Sequence, residues 1–318
     1  MSQQKSICVL GGTGFVGHAI VRRLAKTGYR VKVLTRHRER ARDLLVLPTV
    51  DLVEVDIHER NCLNQQFKGM DAVINLVGIL NELDNKNRNF QTVHVKLARL
   101  VVDACQSNKI KRLLHMSALN ADANRGSSRY LRSKGEAENI VHTTNKLHVT
   151  TFRPSVIFGP EDDFLNRFSR IVRMFPSFLP LPLACGKSLM QPIYVEDVSR
   201  AFVSALDDKD TFSQRYNLCG PKQYSLSQIV AYVASLHGRK QKIMALGESL
   251  SRFQSLFLGN MLTTDNILSL RTASVCENGF PADTFGFEAT SMESVAPRYI
   301  GRAAWVQKQD QYRQKANR

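Results

Sequence analysis

The chain has 318 residues, 43% apolar and 23% charged, the proportions of a globular protein with room for one larger domain and a smaller lobe. No apolar run is long enough to span a bilayer, which excludes a transmembrane segment at this level. The net charge of +16 calls for an anionic partner: a phosphorylated cofactor, an acidic membrane face or an acidic protein. Nucleic acid is set aside, because the basic residues are dispersed, no nucleic-acid module is present and aromatics do not interleave with basic clusters.

In chain order, MSQQKS runs at once into the first apolar stretch, so no signal or transit peptide is expected. Strands are expected at Ile7–Leu10, Val31–Thr35, Leu52–Val55, Ala72–Leu76, Arg112–Ser117 and Val149–Phe152. Helices are expected between them at Phe15–Thr27, Asn89–Gln106 and Arg129–Thr143. Strands apolar on both faces, alternating with helices, predict an α/β fold: a doubly wound parallel Rossmann sheet with a smaller, mainly helical C-terminal lobe. After Pro154 the alternation breaks at a helix near 163–174 and a proline-dense stretch, then strand and helix signals return at Pro192–Leu206 and Tyr216–Leu218. The expected division is therefore 1–155 for the sheet domain, to which the glycine junction below assigns NAD(P) binding, with 190–220 returning to it, and 156–318 for a substrate or partner lobe. Six scattered cysteines (Cys8, Cys62, Cys105, Cys185, Cys219, Cys276) show no CxxC pair or metal-ligand spacing. No metal is expected, and all six are expected to be reduced thiols in a cytoplasm.

The densest chemistry is at ICVLGGTGFVG (7–17), where a strand meets Gly11, Gly14 and Gly17 and a helix follows. Gly11 permits a tight turn, Gly14 lets backbone approach a pyrophosphate, and Gly17 lets the helix pack closely on the strand. Thr13 and the helix-opening Phe15 and Val16 complete a phosphate-binding set at the positive end of the helix dipole. Strand two ends in Thr35–Arg36, followed by Arg38 and Arg40, where an acidic residue would select NAD. Arg36 favours the 2′-phosphate of NADP(H), with NAD(H) as the alternative cofactor; a solvated basic helix start is the competing explanation. Asp56 and Ile57 follow strand three near the adenine, and Val77 follows strand four beside the cofactor.

Tyr130 and Lys134 lie one turn apart on the helix after strand five. A lysine there is expected to lower the phenol pKa and to hold the nicotinamide ribose. On 163–174 the apolar residues Phe164, Leu165, Phe168, Ile171, Val172 and Phe175 share one side and Arg167, Arg170 and Arg173 the other. Such a helix either packs over a cleft with its arginines in solvent or docks on an anionic surface.

These features together resemble the short-chain dehydrogenase/reductase superfamily, and RPSVIFGP (153–160), which contains Pro154, is similar to the RPxxxxGP stretch of its extended and atypical members, among them nucleotide-sugar epimerases. HMSALNA (115–121), SSRYLRSK (127–134), RPSVIFGPEDDFLNRF (153–168) and QPIYVEDVSRA (191–201) narrow the likeness, and LTTDNI (262–267) and FGFEATSMESV (285–295) extend it along nearly the whole chain. As a set they resemble the nucleotide-binding accessory subunit of respiratory NADH:ubiquinone oxidoreductase and its bacterial relatives. That resemblance implies bound NADPH, a structural or assembly role, and contact with a respiratory complex or the inner face of the cell membrane. An active NADP-dependent oxidoreductase or epimerase is the alternative.

Two positions depart from the pattern. Leu10 stands where many relatives have threonine. Leu119 aligns with the usual catalytic serine, which leaves Ser117 at the strand end, or Ser128, as the substitute. The catalytic set implied by the resemblance is thus Tyr130, Lys134 and Ser117.

Overall fold

A computed structural model of the chain describes residues 4–82, 89–246 and 264–301. Residues 262–263 of LTTDNI and the end of the chain from 302 lie outside the described residues. In chain order the elements are β1 (Ser6–Leu10), α1 (Phe15–Lys26), β2 (Arg30–Thr35), β3 (Val50–Glu54), α2 (Arg60–Gln66), β4 (Ala72–Asn75), α3 (Leu97–Ser107), β5 (Arg112–Met116), α4 (Arg129–His142) and β6 (His148–Pro154). After these come β7 (Ile157–Phe158), α5 (Phe164–Met174), β8 (Leu181–Ala184), β9 (Leu189–Met190), β10 (Ile193–Tyr194), α6 (Val195–Ala205) and β11 (Arg215–Leu218). The chain continues through β12 (Tyr224–Ser225), α7 (Leu226–Leu236), β13 (Ile243–Leu246), α8 (Thr264–Arg271), α9 (Ala282–Phe285) and α10 (Met292–Val295).

Seven parallel strands form one sheet in the order β11-β6-β5-β4-β1-β2-β3. This is the doubly wound Rossmann arrangement, in which the order reverses beside β1 and opens a crevice at the C-terminal strand ends. Cys8, Leu10, Val73 and Leu113 face one layer with Leu63, Val101, Cys105 and Val141 of α2, α3 and α4. On the other side α1 and α6 are joined by Arg23, whose guanidinium donates to Glu196 Oε2 at 2.9 Å and Ser199 Oγ at 2.7 Å.

The chain divides into two compact units. The first holds residues 1–154, 195–218 and 281–287. Two buried charges tie its late strand to the sheet. Arg112 donates to Thr150 Oγ1 at 2.8 Å, Thr211 Oγ1 at 2.9 Å and the carbonyl of Leu206 at 3.2 Å. Glu138 is gripped by Arg153 of β6, at 2.9 Å, and by Arg215 of β11, at 2.6 Å.

The second unit holds 155–194, 219–280 and 288–318. Within it the apolar side of α5 is covered: Leu165 and Val172 are fully buried, and Phe164, Phe168, Ile171 and Phe175 pack on a cluster that includes Ile229, Val230 and Val233 of α7. The amphipathic pattern of 163–174 is therefore an internal packing face. β8 and β13 pair in parallel, with Ile243 beside Leu181 and Met244 beside Pro182. Asp162 Oδ1 accepts from Leu165 N at 2.6 Å and so caps α5, and Tyr299 OH donates to Asp162 Oδ2 at 2.9 Å.

The expectation of six reduced thiols is corrected here. Cys219 and Cys276 are joined in a disulfide, while Cys8, Cys62, Cys105 and Cys185 are outside any disulfide among the described residues. A separation of 57 residues with no local motif gave no sign of it; Gln191 brings the two segments together, Oε1 accepting from Cys276 N and Nε2 donating to Gly220 O. Among the described residues, no helix is long and apolar enough to cross a membrane.

Candidate functional site

The site is built from the C-terminal ends of β1, β2, β4 and β5 in the first unit. Gly11 turns the chain at φ +76°, a left-handed conformation that favours glycine. A Cβ on Gly17 would stand 2.2 Å from Gly11 O and 2.6 Å from the Gly12 carbonyl carbon, so no side chain fits where α1 crosses its own loop. Gly14 N donates back to Gly11 O at 3.1 Å, and the first helical bond runs from His18 N to Gly14 O at 2.8 Å. The N–H groups of Phe15, Val16 and Gly17 precede that bond and have no intrahelical acceptor, which leaves three donors at the positive end of α1. Thr13 is half-buried in the same loop.

At the next strand end Thr35 is buried and its hydroxyl accepts from His37 N at 3.2 Å. Arg36 is exposed. Arg42 pairs with Glu39 and Arg22 with Asp43, whereas Arg36, Arg38 and Arg40 have no ion-pair partner among the described residues. Asp56 Oδ1 is used locally, accepting from His58 N at 2.9 Å, and Ile57 is buried.

The other end of the crevice is dry. Lys134 is only 3% exposed, and its Nζ donates to Met116 O at 3.0 Å and Val77 O at 3.4 Å. Burial brings its pKa down to about 8. Tyr130, half-buried, sits edge-on to Phe90 and His94, with ring centroids at 6.0 and 5.7 Å. Its phenol pKa is pushed up to about 12 by burial, which corrects the expectation that Lys134 would lower it. Desolvation dominates, and the lysine ammonium is directed to two carbonyls and is itself easier to neutralise.

Three residues beyond the expected set shape this end. His94 Nε2 accepts from Ile79 N at 3.1 Å, so Nδ1 donates to Ser133 Oγ at 2.8 Å, which in turn donates to Tyr130 O at 2.8 Å. Both nitrogens are committed in the neutral ring, and burial holds its pKa down at about 2. His115, also buried and neutral with its pKa at about 3, meets Asn75 Nδ2 at 3.4 Å through Nδ1, and its Nε2 has no partner among the described residues. Asn75 Oδ1 accepts from Val77 N at 3.2 Å. His115 lies inside HMSALNA, where histidine in an apolar strand was the one available signal. His94 lies in a π-helical turn, Gln91–Lys96, with no such signal.

The serine question has a structural shape. Ser117 is 2% exposed and its Oγ has no hydrogen-bond partner among the described residues. Leu119 is buried, its amide donating to Pro154 O at 3.0 Å. Ser128 caps α4, accepting from Leu131 N at 3.1 Å. The geometry thus brings Val77, Lys134 and the end of β5 together, leaves Ser117 beside them in sequence with an uncommitted hydroxyl, and commits Ser128 to a helix end.

Residues 7–219 match the sequence model of the NAD dependent epimerase/dehydratase family. Over 239 residues, 73% of this chain, it is 33% identical to the Mus musculus protein named NADH dehydrogenase (ubiquinone) 1 alpha subcomplex subunit 9, mitochondrial. That match spans 61% of the mouse protein's length. The Rattus norvegicus counterpart is 29% identical over 304 residues, 90% of this chain and 77% of its own. The solved structure of MoeE5 in complex with UDP-glucuronic acid and NAD superposes with a TM-score of 0.71, covering 96% of this chain and 99% of that one; at 19% identity the likeness is one of fold.

Proposed function

We propose that this chain, which belongs to the NAD dependent epimerase/dehydratase family, holds a dinucleotide as a structural part of an assembly related to respiratory NADH:ubiquinone oxidoreductase. NADP(H) is preferred to NAD(H), on the strength of Arg36 and the absence of an acidic residue at the end of β2. The residues present fit such a cofactor: among the described residues, free amides open α1, uncommitted cations follow β2, and two buried polar atoms, Ser117 Oγ and His115 Nε2, lack partners. Phe15 and Val16 would hold the pyrophosphate through their amides, Arg36 the 2′-phosphate, and Lys134 the nicotinamide ribose. A bound nicotinamide supplies a centre for hydride transfer. Around it this chain offers Tyr130 with a raised pKa and an apolar Leu119, a setting that binds and excludes water but polarises a carbonyl poorly.

The observation that carries a structural role is the buried Leu119 at the position aligned with the usual serine, together with relatives that bear the names of respiratory-complex subunits. An active oxidoreductase or epimerase is the second reading, and the uncommitted Ser117 hydroxyl favours it. Native gel electrophoresis of detergent-solubilised membranes from the source cell separates the two. The proposed role expects this chain to comigrate with a large NADH dehydrogenase activity. Migration as a free small protein, with NADPH-dependent turnover that needs the Tyr130 hydroxyl, overturns it.

A further inference from the structure

We infer that the second unit carries a membrane-docking corner that inserts apolar tips among anionic lipid headgroups. The corner is made where the end of α5 meets the segment entering β13. Met174, the last residue of α5, and Phe178 are 85% and 84% exposed, and Leu179 and Met244 are also exposed. These side chains belong to one locality. Arg239 Nη1 donates to Val172 O at 2.7 Å and Phe175 O at 2.9 Å, Gln241 Nε2 donates to Leu179 O at 2.5 Å, and Leu181 N donates to Lys242 O at 2.8 Å. The β8–β13 register then sets Met244 beside Pro182.

The apolar face of α5 is already buried against its own core, so this exposure is not the helix's general amphipathicity. One exposed apolar side chain is ordinary, but several large ones gathered at one place on a folded surface mark a contact site.

Charge selects the occupant. Neither 164–195 nor 219–247 contains an aspartate or glutamate, yet together they carry eight lysines and arginines, of which Arg167 and Arg170 pair with Asp163 and Lys222 with Glu293. Arg173, Lys240 and Lys242 flank the exposed tips and have no ion-pair partner among the described residues. Single apolar side chains projecting from a turn, with lysines on long stems beside them, match a bilayer interface: the tips enter below the headgroups while the ammonium groups stay among the phosphates. The inference uses only residues of the second unit and does not depend on which cofactor the first unit holds.

Flotation of the full-length protein at physiological salt tests it, with vesicles of phosphatidylcholine alone and of phosphatidylcholine and phosphatidylglycerol in equal parts. Binding is expected only to the anionic vesicles. Met174→Ser with Phe178→Ser should weaken it at least about tenfold, the loss expected from removing buried apolar surface. Lys240→Glu with Lys242→Glu should weaken it by about fivefold per residue. Lys68→Glu with Lys111→Glu, an equal change of charge on the first unit, should leave it within about twofold. In a Trp305→Phe background, Phe178→Trp should shift its emission to shorter wavelength on adding anionic vesicles. Circular dichroism confirms that each variant is folded.

Failure to bind anionic vesicles overturns the inference. So does equal loss in the Lys68/Lys111 control, or binding indifferent to Met174 and Phe178, because either assigns the effect to the chain's overall positive charge. A wild-type dimer that the Met174/Phe178 variant dissolves would give the corner to a second copy and also overturn it. None of these outcomes bears on native-gel comigration, so the proposed function stands or falls separately.

Discussion

The two ends of the dinucleotide site are built from opposite materials. At the α1 and β2 end the groups that would meet phosphate are backbone amides and exposed guanidinium groups, with Arg36, Arg38 and Arg40 in solvent. At the α4 end they are buried and neutral or easily neutralised: His94, His115 and a Lys134 whose pKa has fallen to about 8. An exposed cation is inexpensive to maintain and is screened by salt. A buried ammonium costs folding stability until something anionic or polar joins it. On the proposed reading the first end would select and capture a cofactor, and the second would be completed by it.

The largest expected break comes from closing the first end sterically. Gly17→Val would drive side-chain atoms into backbone at Gly11 and Gly12, where even a Cβ has only 2.2 Å. Cofactor affinity should fall by more than about a hundredfold (over 2.7 kcal/mol) or the chain should fail to fold; isothermal titration and circular dichroism distinguish the two. Unchanged binding would show that α1 does not need its close approach.

Acid should act on the second end. His94 and His115 have folded pKa values of about 2 and 3, against 6.5 for an ordinary histidine. Below pH 6.5 the unfolded chain takes up protons that the folded chain refuses, so stability is present above that pH and is lost as pH falls. The slope approaches about 1.4 kcal/mol per pH unit for each histidine. Chemical denaturation from pH 7 to 4 measures it, and His94→Gln should flatten the curve even though that variant is less stable at pH 7. A wild-type curve flat over this range contradicts the buried neutral histidines.

Lys134 sharpens the comparison because its two effects have opposite signs. Its folded pKa of about 8 lies below the ordinary 10.5, so stability of the cofactor-free protein should rise between pH 8 and 10.5 as the buried charge is released. Over the same range cofactor affinity should fall, because the ribose loses a charge-assisted donor. Lys134→Ala should cost about 1.5–3 kcal/mol of affinity, roughly ten- to a hundredfold, and abolish both trends. Parallel trends in the unaltered protein would mean that the lysine serves only packing.

The smallest effect is the most selective. Arg36→Asp should weaken NADPH binding about tenfold and leave NADH nearly unchanged, since only the former brings a 2′-phosphate to that position. Loss of both cofactors alike would place Arg36 outside the adenosine pocket.

Much of the first unit was legible because periodicity and packing coincide there. Strands buried on both faces read as continuous apolar runs, and every expected strand of the sheet lies within two residues of its observed bounds at either end. The glycine junction was legible because steric need leaves a residue type behind. Helix α7 was not anticipated, although Ser225 and Gln228 form a capping box that announces its start. The polar wiring of the second end was hidden: His94, Asn75 and His115 come from three elements and meet only through tertiary packing. The shift of Tyr130 went the other way from expectation because sequence spacing reports that Lys134 is near but not where its ammonium points. The Cys219–Cys276 bond likewise depends on a long-range approach that no local spacing encodes.

The central claim is that the site holds NADP(H) firmly without depending on the Tyr130 hydroxyl. Mass spectrometry of the nucleotide that co-purifies with the full-length protein, and with Tyr130→Phe, tests it most directly. NADP(H) at close to one per chain in both proteins is the predicted result. NAD(H) as the main species, no nucleotide at all, or loss of the nucleotide in Tyr130→Phe would contradict it.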